Sequence, residues 1–358
     1  MLLATLSKIL ILALAAPLQT EVPPGSGDGN APTTQAEAAQ EPSAEEIAAQ
    51  KEAEAKALEA WRELQGSFKG PKQSTRAAFE QYLNQLFAEI EKFSQAHAGT
   101  AASFEARHEL ALMEIHARQQ QDLGLARMKQ IHADAKNYKG TPPDGLRLDL
   151  KRYTFVYAIA LADAGQFSQA EALLNPIAAG LGKPQQAGQP KAQNADAAQA
   201  ADILARIKVQ KTLLVGLPMP DFSGKRLRDG TELKLSDLKG KVVLVQFWAT
   251  WSKPCDQEMP TIAKVYHEFA NQDFIVLGIS LDDDRRDGRN RLLSYLKSKN
   301  MPWPQLYDGK GWETALAKRF YIRSIPSNLL LDQNGMIRAK DLRARELRQA
   351  VLPLLPKP

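Results

Sequence analysis

One cysteine, Cys255, is the strongest nucleophile in the 358-residue sequence; it closes the run Trp251-Ser252-Lys253-Pro254-Cys255, and Glu258 follows three residues later. A lone thiol excludes an intramolecular disulfide, a Cys-based zinc site and a dithiol redox cycle within one chain. Monothiol exchange is left, and it requires a thiolate. The neighbouring charges pull both ways: Asp256 and Glu258 raise a thiol pKa, whereas Lys253 and a helix N-terminus lower it. A usable monothiol and an inert, buried, hydrophobe-like cysteine therefore both stand. Ser252 has no His/Asp partner pattern around it, and a serine hydroxyl gains too little from a helix dipole to ionise, so its expected role is the N-cap of the helix that carries Cys255. Glu258 is the nearby acid/base candidate, or else a solvated carboxylate in a helix's early turns.

Other chemistry is sparse. The five histidines, His97, His108, His116, His132 and His267, have no metal-ligand spacing, and His108 and His116 read as helix-surface residues. Asp282-Asp283-Asp284 lacks the alternating ligands and glycine of a calcium loop and reads as solvated. No Gly-rich phosphate loop occurs, and Arg343, Arg345 and Arg348 lack interleaved aromatics, so no cofactor, metal or nucleic acid is expected. Hydrophobic residues at 44% and charged residues at 24% describe an ordinary globular chain. The net charge of +5 is unevenly spread: 24 Lys/Arg against 17 Asp/Glu from Leu214 onward give +7, and the remaining 22 against 24 give −2.

The elements that must hold these residues fall into two halves. Met1–Ala16 carries Lys8, the apolar run Ile9–Ala16 and the small-x-small pattern Ala13-Leu14-Ala15, which predicts a cleaved signal peptide and an exported, periplasmic or extracytoplasmic protein. Membrane association is expected only through that segment, if uncleaved. Residues 17–43 have almost no large apolar side chains and read as a linker. Residues 44–182 are helical: Trp61, Leu64 and Phe68, then Phe79, Leu83, Leu86 and Ile90, recur at helical spacing, and helical pairs follow at Phe104–Arg118 with Leu123–Ala133 and at Leu148–Ala164 with Phe167–Gly180. Residues 183–212 read as a linker and a connecting helix, Gln199–Lys211. From 213 the pattern becomes α/β, with strands at Val242–Trp248, Phe274–Leu281 and Asn328–Leu331, helices at Arg291–Lys299 and Glu346–Leu355, and a two-residue hairpin turn at Asn334-Gly335 into Met336–Lys340. That order predicts one sheet with parallel and antiparallel neighbours.

Two resemblances attach to these patterns. Tyr157-Ala158, Leu161, Gly165-Gln166-Phe167 and Ala170 to Leu174 resemble a tetratricopeptide-type helical hairpin over fewer than 40 residues, and an unrelated helical bundle remains the alternative. The second is far more specific. Leu217-Pro218-Met219-Pro220-Asp221-Phe222, Leu235 to Val245, Phe247-Trp248-Ala249-Thr250-Trp251, Glu258-Met259-Pro260, Ser324-Ile325-Pro326-Ser327 and Leu329 to Asp332 resemble, in order, the thioredoxin-like redoxin family of extracytoplasmic thiol–disulfide oxidoreductases, TlpA type and AhpC/TSA-related. The resemblance implies a thioredoxin-like α/β domain over 213–358 behind an all-α domain. It implies a cis bond at Ile325-Pro326, where the backbone pairs with an extended peptide, with Trp251 and Pro254 along the same groove.

The departures from the family bear on activity. Ser252 stands where the family has its exposed nucleophilic cysteine, Cys255 takes the inner, resolving position, and Gln246 stands where cytoplasmic thioredoxins have a proton-accepting acid. The function expected is a redoxin of at most monothiol activity acting on a protein or peptide. Two alternatives remain, a non-catalytic adaptor and a one-cysteine peroxidase. The peroxidase reading fits Ser252, Cys255 and Glu258, but it meets Trp248 where a proline is needed and Pro326 where an arginine is needed, with Arg323 three residues away.

Overall fold

A computed structural model describes residues 43–70, 75–144, 146, 148, 150–180 and 192–356. The expected signal peptide, nearly all of the first linker and residues 183–191 of the second lie outside them. The chain divides into two compact units, Met1–Ala200 and Ala201–Pro358.

In the first unit the helices are α1 (Ala44–Ser67), α2 (Arg76–Ala96), α3 (Ala101–His116), α4 (Gln121–Asn137), α5 (Leu150–Asp163) and α6 (Phe167–Ala178); α7 (Ala192–Thr212) runs across the division. Local chemistry sets the starts. Ser43 and Glu46 form a reciprocal capping box on α1, and Thr75 and Thr100 cap α2 and α3. The start of α3 has a second acceptor: the buried carboxylate of Glu54, on α1, takes the Ala101 N–H at 3.0 and 3.2 Å and the Tyr138 hydroxyl at 2.5 Å. Trp61, Leu83, Leu86, Ile90, Phe93, Leu110 and Met113 pack between α1, α2 and α3. Gly165, at φ 76°, turns the chain between α5 and α6, with Gln166 N–H closing onto Leu161 O at 2.8 Å.

His108 is not a surface residue: it is 3% exposed, its ring lies 5.3 Å from Tyr153, and burial pushes its pKa down to about 4. The helix α3 is covered on several sides at once, so a position that looks solvent-facing on a single-stripe amphipathic helix is interior here.

The second unit is built on a five-stranded sheet of order β5-β4-β3-β6-β7, formed by β3 (Val242–Trp248), β4 (Phe274–Ser280), β5 (Gln305–Leu306), β6 (Ser327–Leu331) and β7 (Ile337–Lys340); a separate pair, β1 (Ser223–Lys225) and β2 (Glu232–Lys234), precedes it. β3 runs parallel to β4 (Val242↔Phe274 to Trp248↔Ser280) and antiparallel to β6 (Val243↔Leu331 to Phe247↔Ser327), and β5 is parallel to β4 and β7 antiparallel to β6. Every side chain of β3 is buried, so its period of two fills two cores. Val242, Leu244 and Trp248 face α8 (Lys253–Phe269), α9 (Gly288–Ser298) and α11 (Ala344–Val351) through Met259, Ile262, Leu292, Leu296, Leu347 and Val351. Val243, Val245 and Phe247 face Leu213, Met219, Phe222 and Leu238, and Leu316 of α10 (Ala315–Arg319). Each such side chain contributes about 1.5–3 kcal/mol by leaving water. The fold is thus α/β and thioredoxin-like, with a mixed central sheet between helical layers.

Both sheet edges are covered. Gly216 N–H to Ile337 O (2.8 Å), Ile337 N–H to Leu217 O (2.9 Å) and Met219 N–H to Gly335 O (2.9 Å) close the β7 side, and Leu227 N–H to Gln305 O (2.8 Å) and Tyr307 N–H to Lys225 O (3.0 Å) close the β5 side.

The link from β6 to β7 spans Asp332 to Met336 and is not the two-residue hairpin that Asn334-Gly335 suggests. Asp332 organises it: Oδ1 accepts from Asn334 N–H (2.9 Å) and Met336 N–H (3.0 Å), and Oδ2 from Arg338 Nε (2.8 Å). Burial works against this carboxylate's charge, but bonds from Met336, Arg338 and Asn334 outweigh it and hold the pKa below the usual range. The stability is therefore fully present at neutral pH and is lost as pH falls through the carboxylate range. Asp332→Asn should lower the urea-unfolding free energy by about 1.5–3 kcal/mol at pH 7, and the gap to the parent should narrow only as pH falls below about 4.

Candidate functional site

β3 ends at Trp248, and Leu281 N–H bonds back to Trp248 O at 2.8 Å as β4 ends beside it. The chain turns through Ala249, Thr250 and Trp251, and Ser252 opens α8 from an extended conformation (φ −87°, ψ 107°), its Oγ accepting the Cys255 N–H at 3.5 Å. Pro254 in the first turn has no N–H to leave orphaned. Ser252 is itself buried, at 6% exposure, so its hydroxyl faces the helix end and not the solvent.

Cys255 points inward and is 0% exposed, in the core that holds Trp248, Met259 and Ile262. Burial pushes its thiol pKa up; the Ser252 hydroxyl and the Ala249 backbone oppose this, and the carboxylates of Glu258 and Asp282 add to it. Glu258 is turned toward Arg343, its Oε1 3.6 Å from the guanidinium and its Oε2 without a hydrogen-bond partner. Burial raises its pKa and Arg343 lowers it, with the net shift upward. Gln246 is 1% exposed, and its side-chain amide has no partner among the described residues. It cannot take a proton from a neighbouring thiol as a carboxylate does.

The turn is held by a residue that reads as solvated in the sequence. Asp282 is 0% exposed and accepts from Thr250 N–H (3.1 Å), the Thr250 hydroxyl (2.5 Å) and the Ser280 hydroxyl (2.8 Å). A buried carboxylate is tolerable because three donors meet it. Its signal in the sequence was its place directly after an apolar strand, with Ser280 two residues before it; Thr250 is brought to it only by the fold.

Trp251 and Pro254 lie exposed on this face, the Trp251 indole N–H donating to Leu281 O at 3.2 Å. The Ile325-Pro326 bond is cis, and Ile325 packs against the core that contains Cys255. Arg323 is exposed, with its guanidinium 5.6 Å from the Tyr321 ring centroid and 3.4 Å from Asp202. The histidines do not converge, and no group of three metal-ligating side chains occurs among the described residues.

A thioredoxin-like redoxin is the class that this sheet order, helix-start motif and cis-proline define. A model of the AhpC/TSA family matches residues 215–340. The chain is 34% identical over 122 residues to the thioredoxin-like protein YneN of Bacillus subtilis (strain 168), covering 34% of this chain and 68% of that one. It is 30% identical over 128 residues to the thiol-disulfide oxidoreductase ResA of Bacillus thuringiensis subsp. konkukian (strain 97-27), covering 36% and 69%. The thioredoxin domain of a thiol-disulfide oxidoreductase from Bacteroides vulgatus aligns at 28% identity over 40% of this chain and 99% of that domain, with a TM-score of 0.36. The chain belongs to the thioredoxin-like redoxins of the AhpC/TSA family through its C-terminal unit.

Two measurements check this geometry. Cys255 should react with a disulfide reagent at least 100-fold more slowly in native buffer at pH 7 than in urea, and its rate should rise only above the ordinary thiol range, near pH 8.5. Thr250→Val, which strips one donor from Asp282, should cost about 1–3 kcal/mol in urea unfolding.

Proposed function

We propose that this chain is an exported member of the thiol–disulfide oxidoreductase lineage that has kept the peptide-binding face of the thioredoxin fold, with at most monothiol chemistry at Cys255. The observation that carries the reading is the burial of both positions: Cys255 has no exposed surface and a raised pKa, and the Ser252 hydroxyl caps the helix that carries it. Exchange needs a thiolate that can reach the disulfide in line, and neither residue supplies one. What remains is recognition. Residues 323–326 make no backbone–backbone hydrogen bond among the described residues, and Arg323 and Ser324 are exposed, so this edge can pair with an extended segment of a protein partner by strand addition. Trp251, Pro254, Ile325 and Pro326 are the proposed contact residues.

The helical half, residues 44–182, would act as a second docking module of tetratricopeptide-like type. Export would follow from residues 1–16, with membrane attachment only if they are uncleaved; no helix of the described residues is long and apolar enough to cross a membrane. The peroxidase alternative is disfavoured because Arg323, three residues from the position where that reading needs an arginine, is exposed and engaged with Asp202 and Tyr321.

Insulin reduction with excess dithiol tests the chemistry. The parent and Cys255→Ser should match the uncatalysed background, whereas Ser252→Cys should form a 252–255 disulfide under mild oxidant and accelerate turnover. Parent turnover that Cys255→Ser abolishes would assign monothiol exchange to Cys255 in place of recognition alone, and parent turnover that survives Cys255→Ser would overturn the reading. The two-module part predicts that fragments 44–182 and 201–358 each unfold cooperatively with the midpoint they have in the intact chain. The second fragment starts at 201 because Val209 and Leu213 pack into the redoxin core.

A further inference from the structure

The face proposed to receive an extended segment carries an aromatic pair that thiol exchange does not require. Trp251 and Trp312 are 50% and 42% exposed, yet their rings, from separate segments, lie 6.2 Å apart at 55°. The bond to Leu281 O holds the Trp251 indole, and Trp312 sits on the short 3-10 turn Gly311–Glu313. Trp312 also lines, with Tyr321, Ile322 and Arg323 and the ion-paired Asp202 and Glu313, a cleft of about 390 Å³ that reaches Arg323, the first residue of the unpaired segment 323–326. Two large half-exposed indoles side by side cost free energy until something covers them, and the bond that holds Trp251 limits the conformational entropy lost when it does.

The charge beside them has one sign left over. Lys253 and Lys310 are exposed, each two residues from one of the tryptophans, and neither has a carboxylate within ion-pair distance among the described residues. The acidic groups nearby are engaged: Glu313 with Lys318, Asp283 with Arg285, Asp202 with Arg323, and Asp308 with the Thr314 hydroxyl and the Lys310 N–H. The half of the chain from Leu214 onward is +7.

Building on the peptide-edge reading above, we infer that the occupant is an acidic extended segment of a partner protein, with an aromatic or branched apolar side chain seated against Trp251 and Trp312, and that it needs no cysteine. Strand addition at 323–326 supplies the backbone bonds, alternate side chains face the tryptophans, and carboxylates on the other side meet Lys253 and Lys310. A redoxin that closes a mixed disulfide selects its partner by sulfur. Here Ser252 removes that selection, and the aromatic and charge contacts carry specificity.

The test uses the full chain and a capped, cysteine-free peptide in which Glu alternates with Phe and Val, titrated by tryptophan fluorescence and calorimetry. Binding should weaken at least 10-fold for Trp312→Ala, at least 5-fold for the Lys253→Glu/Lys310→Glu pair and for a peptide with Lys in place of Glu, and progressively with added salt. A thermal melt of each variant separates lost contact from lost fold; all three substitutions are at exposed positions. A peptide N-methylated on alternate amides should lose binding, because the strand bonds are removed. If the acidic peptide binds equally well to the Trp312 and lysine variants, or if only a neutral cysteine-containing peptide binds, the inference is overturned while the peptide-edge reading survives. If neither peptide binds and N-methylation changes nothing, both fail.

Discussion

The C-terminal unit depends on one constraint: Val242–Trp248 has no side that water can touch. Seven buried side chains in a strand alternate between two faces, so two apolar layers must exist, and their backbone groups must be paired on both sides. β4 and β6 supply that pairing, α8, α9 and α11 one layer, and the segment before β1 together with α10 the other. The C-terminal end of that strand is still paired on both sides, Trp248 with Ser280 and Phe247 with Ser327, and there the chain turns into Ser252 and Cys255. The residues that do or do not carry chemistry hang from the most thoroughly covered strand.

At that turn the balance between burial and solvation decides reactivity. A helix N-terminus favours a thiolate, but Cys255 points away from solvent, and the energetic cost of ionising it in an apolar core outweighs the dipole. The same helix start satisfies its orphaned donor with the Ser252 hydroxyl. A cysteine at 252 would be a poorer acceptor for that N–H. Ser252 thus gives this helix start a better cap than a cysteine would, while Asp282 keeps the turn in place by meeting Thr250 and Ser280.

Much of this was legible in the residues. The apolar runs at 242–248, 274–281 and 328–331 are strands, Ser252 is the helix cap, Ile325-Pro326 is cis, and the redoxin resemblance identifies the family. What was illegible depends on distant partners. Asp282 belongs to a run of three acids, and its place directly after an apolar strand is the one local mark that sets it apart; the burial itself depends on Thr250, 32 residues away. His108 reads as surface because a helical stripe carries no information about how many neighbours a helix has. Asn334-Gly335 has the composition of a tight hairpin, but Asp332 gathers a longer link around its carboxylate. Trp312 is an isolated aromatic in the sequence, and only the ring of Trp251 beside it makes a surface.

The Glu54 carboxylate bears on how far the helical unit can be trimmed. It ties α1 to the first N–H of α3 and to the Tyr138 hydroxyl beyond α4, so three segments meet at one buried acid close to the start of the described chain. A protease that stopped at Ser43 would leave this junction whole. One that removed α1 would take Glu54 from the Ala101 N–H and the Trp61 ring from the core in a single cut, leaving Thr100 as the sole cap of α3 and an apolar face exposed. The first helix therefore marks the shortest version of this unit that a degradative environment would tolerate.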